Sequence, residues 1–271
     1  RMITHVMRDA EQPIALAHLY MKRDVKPTSV RSSERYQQEI YEHDLICLML
    51  NERLSKQQSE AKAPFTAASV KDGKFLIVQT KKAFSLGVSW KRDQIEAGLS
   101  AAVGLLEQAR QWGFTTGELT RAKGILRNKA ERCNNQRGQL ANHHYVKQCL
   151  DHYLYGEPIL STAEELHVRR KFDAELTLAD VNTAIKELVT DRNQVLLLYA
   201  PKKADFRVPS TEQLERCVRG AQKKSYPAYQ ECVRPKMLLT AFPRPGKILA
   251  EYDHTKAGVR VFKLSNGINV Y

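Results

Sequence analysis

Residues 84–113 have the sequence FSLGVSWKRDQIEAGLSAAVGLLEQARQWG and combine a strand pattern with a helix pattern. The first seven residues alternate apolar with small or polar side chains, which predicts a strand with one apolar face. That face consists of Phe84, Leu86, Val88 and Trp90. Asp93 and Glu96 have the spacing of a capping box, which predicts that a helix starts there. Apolar residues then recur at helical spacing until Gly113, which is expected to end the helix. They are Leu99, Val103, Leu106 and Ala109.

The sequence before this stretch predicts a strand, a long helix and two further strands. Residues 14–20 are apolar with little polar interruption, which indicates a buried strand. Ser32-Ser33 offers a helix N-cap. The helix behind it, over residues 34–56, has an apolar stripe at steps of three and four. The stripe consists of Tyr36, Ile40, His43, Cys47, Leu50 and Leu54. Residues 65–71 and 75–79 are predicted to be strands on either side of an Asp72-Gly73 turn.

The sequence after this stretch predicts three more helices and a closing strand. Thr115 with Glu118, and Thr177 with Asp180, are capping-box pairs that each start a helix. Residues 140–154 form another amphipathic pattern, and residues 195–199 predict a strand that Pro201 closes. Strands joined by tight turns, with helices grouped elsewhere, indicate an α+β fold. We therefore expect an antiparallel sheet covered on one face by helices over residues 1–200.

Residues 201–258 are predicted to be an extended interdomain linker, with a short helix at 211–219. Six of the ten prolines fall in residues 201–247, and this part also carries 11 basic against 4 acidic residues of a chain whose net charge is +13. A basic segment can bind nucleic acid or an acidic partner. Because these basic residues are interleaved with prolines and no nucleic-acid motif accompanies them, a solvated linker is the better interpretation. We expect no nucleic-acid partner.

Residues 259–271 are predicted to start a further domain. Leu264-Ser265-Asn266-Gly267 separates two runs with alternating apolar residues, and Asn-Gly is a strong hairpin signal. A hairpin alone is marginal in water, and no sequence remains after it to supply a sheet. The chain also begins at Arg1, without an initiator methionine. From these two features we expect an excised piece of a larger protein.

Composition narrows the class of protein further. No uninterrupted apolar run approaches the roughly 20 residues that a membrane helix needs. None of the five cysteines forms a C-x-x-C pair, which argues against a zinc ribbon or a thioredoxin-type site. Cys47 and Cys149 lie on apolar helix stripes and are interpreted as small core residues. Cys217 and Cys232 lie in the predicted linker, and a disulfide between them would require an oxidising compartment.

Three histidines share one predicted helix but do not have metal-ligand spacing. His143 and His152 are nine residues apart and point to roughly opposite faces. His144 and His152 are closer in angle but about 12 Å apart along the helix axis. We interpret all three as structural histidines.

Glu39-Ile40-Tyr41-Glu42-His43 is close to a zinc motif. An inverzincin site has the sequence H-x-x-E-H, in which two histidines one turn apart bind zinc and the glutamate activates water. Here Glu39 occupies the first ligand position, and His43 lies in the apolar stripe of its helix. A hydrogen-bonded core histidine is therefore the better interpretation. The alternative is a zinc pair of Glu39 and His43, which would need further ligands that the sequence does not identify. No G-x-S-x-G, P-loop or dinucleotide fingerprint occurs either.

The order of these parts resembles the second domain of an insulinase/pitrilysin-type zinc metallopeptidase. The resemblance covers nearly the whole chain, and each of its motifs is weak alone. The motifs are Gly113-Phe114-Thr115 with Glu118-Leu119 and Ala122-Lys123, Tyr155-Gly156-Glu157-Pro158, Thr177-Leu178-Ala179-Asp180-Val181, Pro227-Ala228-Tyr229, Pro243-Arg244-Pro245-Gly246-Lys247-Ile248 and Phe262-Lys263-Leu264-Ser265-Asn266-Gly267.

The resemblance implies a domain of the mitochondrial processing peptidase-like metallohydrolase type. In that family, four related α+β domains form a two-halved shell around a peptide-binding chamber, and the first domain holds zinc through H-x-x-E-H and a distal glutamate. The second domain carries no zinc ligand, and a substrate-holding arginine–tyrosine pair lies beyond Tyr271. We therefore assign no catalytic or metal-binding residue to this chain, leave its substrate-binding residues unassigned, and expect zinc in the parent protein.

Three functions follow as hypotheses. The chain is the non-catalytic second domain and linker of a zinc endopeptidase, whose partners are the other domains of its parent and a peptide or unfolded polypeptide. Alternatively, the parent lacks zinc and scaffolds a complex, as processing-subunit homologues do. A basic nucleic-acid-binding module is the weakest of the three. The compartment stays open between the periplasm or cell envelope and the cytoplasm.

Overall fold

The computed structural model describes residues 2–90, 94–203, 206–231, 246–255 and 258–271. The chain divides into two compact units, Arg1–Glu231 and Cys232–Tyr271. No helix in these described ranges is both long enough and apolar enough to cross a bilayer.

The first unit alternates strands with helices. Its strands are β1 (Ile3–Asp9), β2 (Ala15–Asp24), β3 (Ala67–Lys74), β4 (Lys81–Trp90) and β5 (Gln194–Pro201). Its helices are α1 (Thr28–Arg31), α2 (Glu34–Gln58), α3 (Ile95–Trp112), α4 (Thr116–Asn135), α5 (Asn142–Tyr155), α6 (Thr162–Glu175), α7 (Leu178–Leu188) and α8 (Thr211–Lys223), and a 3-10 turn spans Arg137–Gln139.

The five strands form one sheet in the order β1-β5-β2-β4-β3. The pairs β5–β2, β2–β4 and β4–β3 are antiparallel. The edge pair β1–β5 is parallel, with Ile3 opposite Val195. The α+β class predicted from the sequence is confirmed, and the sheet is mixed because β1 joins it at one edge.

The hydrophobic core lies between one face of the sheet and the helices. β2 contributes Ala15, Ala17, Leu19 and Met21, which are at most 2% exposed. Across from them, α2, α3 and α7 bury one stripe each. The stripes include Leu45, Met49 and Leu50, then Leu99, Val103 and Leu106, and then Val181, Ile185 and Leu188. The alternating apolar residues of the strands and the apolar stripes of the helices thus pack against each other in one core layer.

Several helix ends occur where the sequence predicts them. Thr115 and Glu118 form a complete capping box at the start of α4, and Thr177 and Asp180 form another at the start of α7. Gly113 ends α3 with a φ of 76°, which favours glycine. The predicted cap of α3 at Asp93 falls outside the described residues. α3 itself begins at Ile95, and its N-cap residue Gln94 makes no side-chain capping bond.

The predicted turn at Asp72-Gly73 is wrong. Both residues lie inside β3, and the turn to β4 occupies residues 75–80, where a strand was predicted. In this turn Val78 N donates to Phe75 O, and Leu76 has a φ of 53°. Asp72 stays in the strand because its carboxylate binds side chains from β2 and α2, as described below.

Other elements differ from the sequence predictions in extent. β1 and α6 were not predicted, β2 is longer than residues 14–20, and α5 starts two residues later than expected. Cys149 is exposed, so its assignment to the core is wrong. Cys47 does pack against the core, and burial raises the pKa of its thiol to about 12.

An ion pair with no exposed side-chain surface ties α2 to the start of α4. Arg53 Nε lies 2.7 Å from Glu118 Oε1, and Arg53 Nη2 donates to Glu118 Oε2 at 2.9 Å. The same nitrogen donates to the carbonyl oxygen of Gly113, where α3 ends. The Arg53 guanidinium also lies 5.0 Å from the Phe114 ring and 4.1 Å from the Tyr229 ring. One arginine therefore fixes the junction of three helices.

Part of the predicted linker is fixed to the first unit. The helix predicted at 211–219 is observed as α8, which extends to Lys223 and packs against α3 through Leu214, Val218 and Ala221. Residues 224–231 continue along the same unit. Trp112 Nε1 donates to Tyr226 O at 2.6 Å, Lys56 Nζ donates to Tyr229 Oη at 2.9 Å, and Thr115 Oγ1 donates to Glu231 Oε2 at 2.8 Å.

The second unit contains a small antiparallel sheet of β6 (Ile248–His254), β7 (Val259–Leu264) and β8 (Asn269–Val270). The hairpin predicted at Asn266-Gly267 is confirmed, with Gly267 at a φ of 85° and Leu264 N donating to Ile268 O. β6 pairs with β7. The expectation that no strand is available to extend the hairpin is therefore wrong, because the extra strand comes from before it.

Candidate functional site

The side of the sheet opposite the helices carries partly exposed side chains, and we call it the open face. Side chains alternate between the two faces along each strand. On β2 the residues that point away from the core are Leu16, His18, Tyr20 and Lys22, all half-buried. The strand register places His18 opposite Leu197 of β5 and Gly87 of β4. His5 of β1 is opposite Leu197 on its other side.

Aromatic rings cluster on this face around His18. The His18 and Tyr20 rings stack with centroids 5.7 Å apart, and Tyr199 meets His18 edge-on at 6.5 Å. Tyr20 also contacts Phe75 edge-on at 5.2 Å, and Lys22 Nζ lies 5.3 Å from the centre of that ring. Such edge-on and offset pairs are the favourable geometries for aromatic side chains.

Gly87 makes room for the imidazole of His18. A Cβ atom at Gly87 would lie 3.2 Å from His18 Cε1, which is tighter than ordinary contact. Burial lowers the pKa of His18, so its ring is neutral at pH 7. Burial and the neighbouring Tyr199 raise the pKa of Tyr20. The centre of the open face is therefore uncharged and aromatic.

Smaller residues line the rest of the open face. β4 contributes Ser85, Gly87 and Ser89, and β3 contributes Ala67 and Ser69 beside them. Toward the other edge, Ile3 and Met7 of β1 are 59% and 46% exposed. The face thus changes from bulky and apolar on β1, β5 and β2 to small and polar on β4 and β3. Aromatic rings beside a shallow strip of small side chains are suited to contact with an extended polypeptide.

The near-zinc motif on α2 is held by hydrogen bonds. His43 Nδ1 lies 3.0 Å from Asp72 Oδ2, and Arg23 Nη2 donates to the same oxygen at 2.5 Å. Burial favours a raised pKa for Asp72, but the hydrogen bonds from His43 and Arg23 outweigh it and hold this pKa below its usual value. Asp72 is therefore ionised at neutral pH, and His43 Nδ1 donates to it. The hydrogen-bonded histidine predicted from the sequence is confirmed.

The donors around His43 do not fit a zinc ion. Glu39, at the first ligand position of the motif, is paired with Lys26. His43 binds Asp72 through Nδ1, which leaves Nε2 as its one nitrogen for a metal. Burial raises the pKa of Glu42, at the position of the water-activating glutamate, which disfavours the ionised form that a general base requires. Across the described ranges, no three His, Cys, Asp or Glu side chains come close enough to share one ion. A cleft of about 620 Å³ beside His43 is lined by both acidic and basic groups, including Arg35, Asp180 and Glu187.

The remaining candidate residues do not come together. His143, His144 and His152 lie on α5, where His152 Nδ1 contacts Glu157 O at 2.8 Å and His144 meets Tyr145 edge-on. Cys217 Sγ donates to Glu96 O at 3.1 Å, whereas Cys232 lies outside the described residues.

The sequence analysis did not identify the open face. It assigned no role to His5 or His18, and it predicted residues 14–20 to be a buried strand. The signal was present in residues 15–22, ALAHLYMK, where small and aliphatic residues alternate with Leu16, His18, Tyr20 and Lys22. That alternation indicates a strand with two different faces.

Comparisons with known proteins identify the fold. No family model matches the chain. It is 22% identical to the "Zinc protease PQQL-like" protein of Arabidopsis thaliana over 170 residues, which cover 63% of this chain and 18% of that protein. The periplasmic protease PqqL from Escherichia coli matches 99% of this chain and 29% of its own, with a TM-score of 0.73 and 16% identity. A structure of the first half of PqqL matches 85% of this chain and 48% of its own, with the same TM-score and identity.

The peptidase M16 inactive domain from Pseudomonas fluorescens matches 77% of this chain and 45% of its own, with a TM-score of 0.52 and 16% identity. The chain spans less than a third of the length of the Arabidopsis protein and of PqqL. The resemblance drawn from the motif order is confirmed. The chain therefore has the fold of the M16, or insulinase-type, peptidases and is a relative of a zinc protease.

Proposed function

We propose that this chain is a non-catalytic part of a zinc endopeptidase and that its open face forms a wall of the chamber in which a polypeptide is degraded. One observation carries the proposal: the open face presents an uncharged aromatic cluster of His18, Tyr20 and Tyr199 beside a strip of small residues. This arrangement offers broad contact to polypeptide side chains of many kinds. The donors present on α2 do not fit zinc, so the chemistry is assigned to another part of the parent.

The comparisons support this position in a longer chain. The first half of PqqL matches 85% of this chain, while the whole of PqqL matches 99%. These shares suit a chain that covers the end of the first half of such a protease and the start of its second half. They agree with our division into a domain over residues 1–200, a linker over 201–258 and the start of a next domain at 259–271. Zinc bound elsewhere in the parent would supply the activated water for hydrolysis. The residues of this chain hold and orient the polypeptide.

The test uses the full-length parent with two tyrosines of the open face replaced. Tyr20→Ala combined with Tyr199→Ala removes aromatic contact area, so we expect KM for an unfolded polypeptide to rise about three- to tenfold while kcat and zinc content stay unchanged. Steady-state kinetics and metal analysis measure these quantities. Tyr153→Ala is the matched control, because Tyr153 is 86% exposed on α5. An unchanged KM in the double variant, or an equal rise in the control, would contradict the proposal.

A scaffold function is the alternative, and a structural neighbour that is an inactive M16 domain is compatible with both functions. For a scaffold, the whole parent lacks zinc, and the open face binds a partner protein. The two functions differ in the sequence encoded upstream of Arg1. An H-x-x-E-H motif there favours the endopeptidase, and its absence favours the scaffold.

A further inference from the structure

The two edges of the five-stranded sheet are not alike. An edge strand leaves the N–H and C=O groups of alternate residues without a neighbouring strand, and proteins usually block such edges. β3 forms one edge and β1 forms the other.

The β3 edge is blocked by a side chain from α2. Asn51 Nδ2 donates to Val70 O at 3.0 Å, and Val70 N donates to Asn51 Oδ1 at 2.7 Å. The Asn51 amide thus makes the two hydrogen bonds that a residue of a neighbouring strand would make. α2 also packs along β3. No additional strand fits at this edge without displacing a side chain that satisfies it.

The β1 edge lacks such a device. In the described part of the chain, no hydrogen bond from outside the sheet reaches the backbone of Ile3–Met7. Lysine, arginine and proline, which commonly protect edges, are absent from these five residues. The nearby α8 makes a side-chain contact instead, between Thr4 Oγ1 and Glu215 Oε1 at 3.0 Å.

The exposed residues of β1 continue the open face. Ile3, His5 and Met7 lie on that face, and Met7 is opposite Tyr199 in the register. A strand added beside β1 would therefore place every second side chain next to Ile3 and Met7 and in line with the aromatic cluster. Backbone groups without partners, next to an apolar row, are complementary to one kind of ligand, an extended polypeptide.

We propose that the β1 edge binds an extended polypeptide by strand addition. Backbone hydrogen bonds to alternate residues of Ile3–Met7 supply the affinity, and apolar side chains facing Ile3 and Met7 supply the selectivity. This inference rests on the proposed function for the source of the polypeptide, which is the substrate of the parent. It adds the specific place where the substrate backbone is held.

The experiment measures binding of a labelled, end-capped peptide without charged side chains, Gln-Thr-Val-Thr-Val-Thr-Val-Gln, to the 271-residue chain by fluorescence anisotropy. His5→Lys combined with Met7→Lys places two charges on the open edge and is expected to weaken binding at least about tenfold. Val146→Lys combined with Tyr153→Lys is the matched control, because it adds lysines at two exposed positions of α5, outside the sheet. We expect the control to bind within about twofold of the unmodified chain.

A second measurement tests the backbone bonds directly. Two versions of the peptide carry N-methyl groups on alternate amides. In one version the methyl groups lie along one edge of the extended strand, and in the other version they lie along the opposite edge. Strand addition predicts that one version loses binding at least about tenfold and the other keeps it. No binding, equal weakening by both lysine pairs, or indifference to N-methylation would overturn the inference. Because the proposed function is judged by KM in the parent, each of these results leaves that proposal standing.

Discussion

At the residue scale, contacts to one carboxylate, that of Asp72, decide local structure that the sequence pattern does not reveal. Asp72-Gly73 has the composition of a turn, yet both residues lie within β3 because Arg23 and His43 bind the Asp72 carboxylate. The partners lie 49 and 29 positions away along the chain. Turn propensity is a local preference, and it is overridden here by a buried ionic contact that forms only in the folded molecule.

The stabilisation from Asp72 depends on pH. Its pKa is lowered in the folded chain, so its contribution is fully present above the ordinary value of 3.8 and is lost as pH falls through the lower folded value. Asp72→Asn should therefore cost stability at pH 7, and the cost should shrink as the pH falls below about 4. Urea unfolding of both proteins between pH 7 and pH 2.5 measures the difference. A difference that is constant over this range would show that the Asp72 charge does not contribute.

Arg53 and Glu118 allow a sharper test of a buried charge pair. Both side chains have no exposed surface, so Arg53→Met leaves the Glu118 carboxylate buried without its partner. We expect the free energy of unfolding to fall by about 3–5 kcal/mol. The double variant Arg53→Met with Glu118→Leu should lose less than the single variant, since no charge remains buried.

The matched surface control is Lys147→Met. Lys147 is 75% exposed and paired with Asp151 on α5, so its replacement should change stability by less than about 1 kcal/mol. Denaturant unfolding at pH 7 compares the three variants. An Arg53→Met loss as small as that of the control would contradict the structural role assigned to the pair.

At the element scale, the sequence predicts those helices and strands whose signals are local. The capping boxes at Thr115 and Thr177 and the glycine at 113 set helix ends through bonds within a few residues, and all three are observed. The turn at residues 75–80 was not predictable, because Leu76 adopts a positive φ that its residue type rarely shows. β1 escaped prediction because its partner β5 lies about 190 residues later in the chain.

Glycines inside helices give a prediction at this scale. A Cβ atom at Gly98 of α3 would lie 1.8 Å from Trp90 Nε1 and 2.6 Å from Pro64 O. Gly98→Ala should therefore destabilise the chain by about 1–3 kcal/mol, because the buried Trp90 has no room to move away. Gly124 of α4 has no neighbouring atom within 4 Å of such a Cβ, so Gly124→Ala should stabilise by about 0.5–1 kcal/mol. Thermal unfolding measures both variants, and we expect the melting temperature to fall for Gly98→Ala and to rise for Gly124→Ala. Changes of the same sign would contradict the packing described for α3.

At the scale of the whole molecule, the candidate site is a property of the sheet rather than of a motif. His5 and His18 lie on the first two strands and Tyr199 on the last strand of this sheet, and only the strand register brings them to one face. Motif reading therefore identified the family-like order of parts but not the open face. The same limit applies to the predicted linker, where residues 224–231 are held by hydrogen bonds to partners about 110 to 170 residues earlier in the chain.

The central claim is that this chain contributes a wall and not a zinc centre, and metal analysis of the purified chain tests it most directly. The 271-residue chain is equilibrated with excess zinc, passed through a desalting column and assayed for zinc by mass spectrometry, with peptide cleavage followed in parallel. Because Glu39 is paired with Lys26, and no three candidate ligands come together in the described ranges, we predict far less than one zinc per chain and no cleavage. One tightly bound zinc per chain, lost in a His43→Ala variant, would contradict the account.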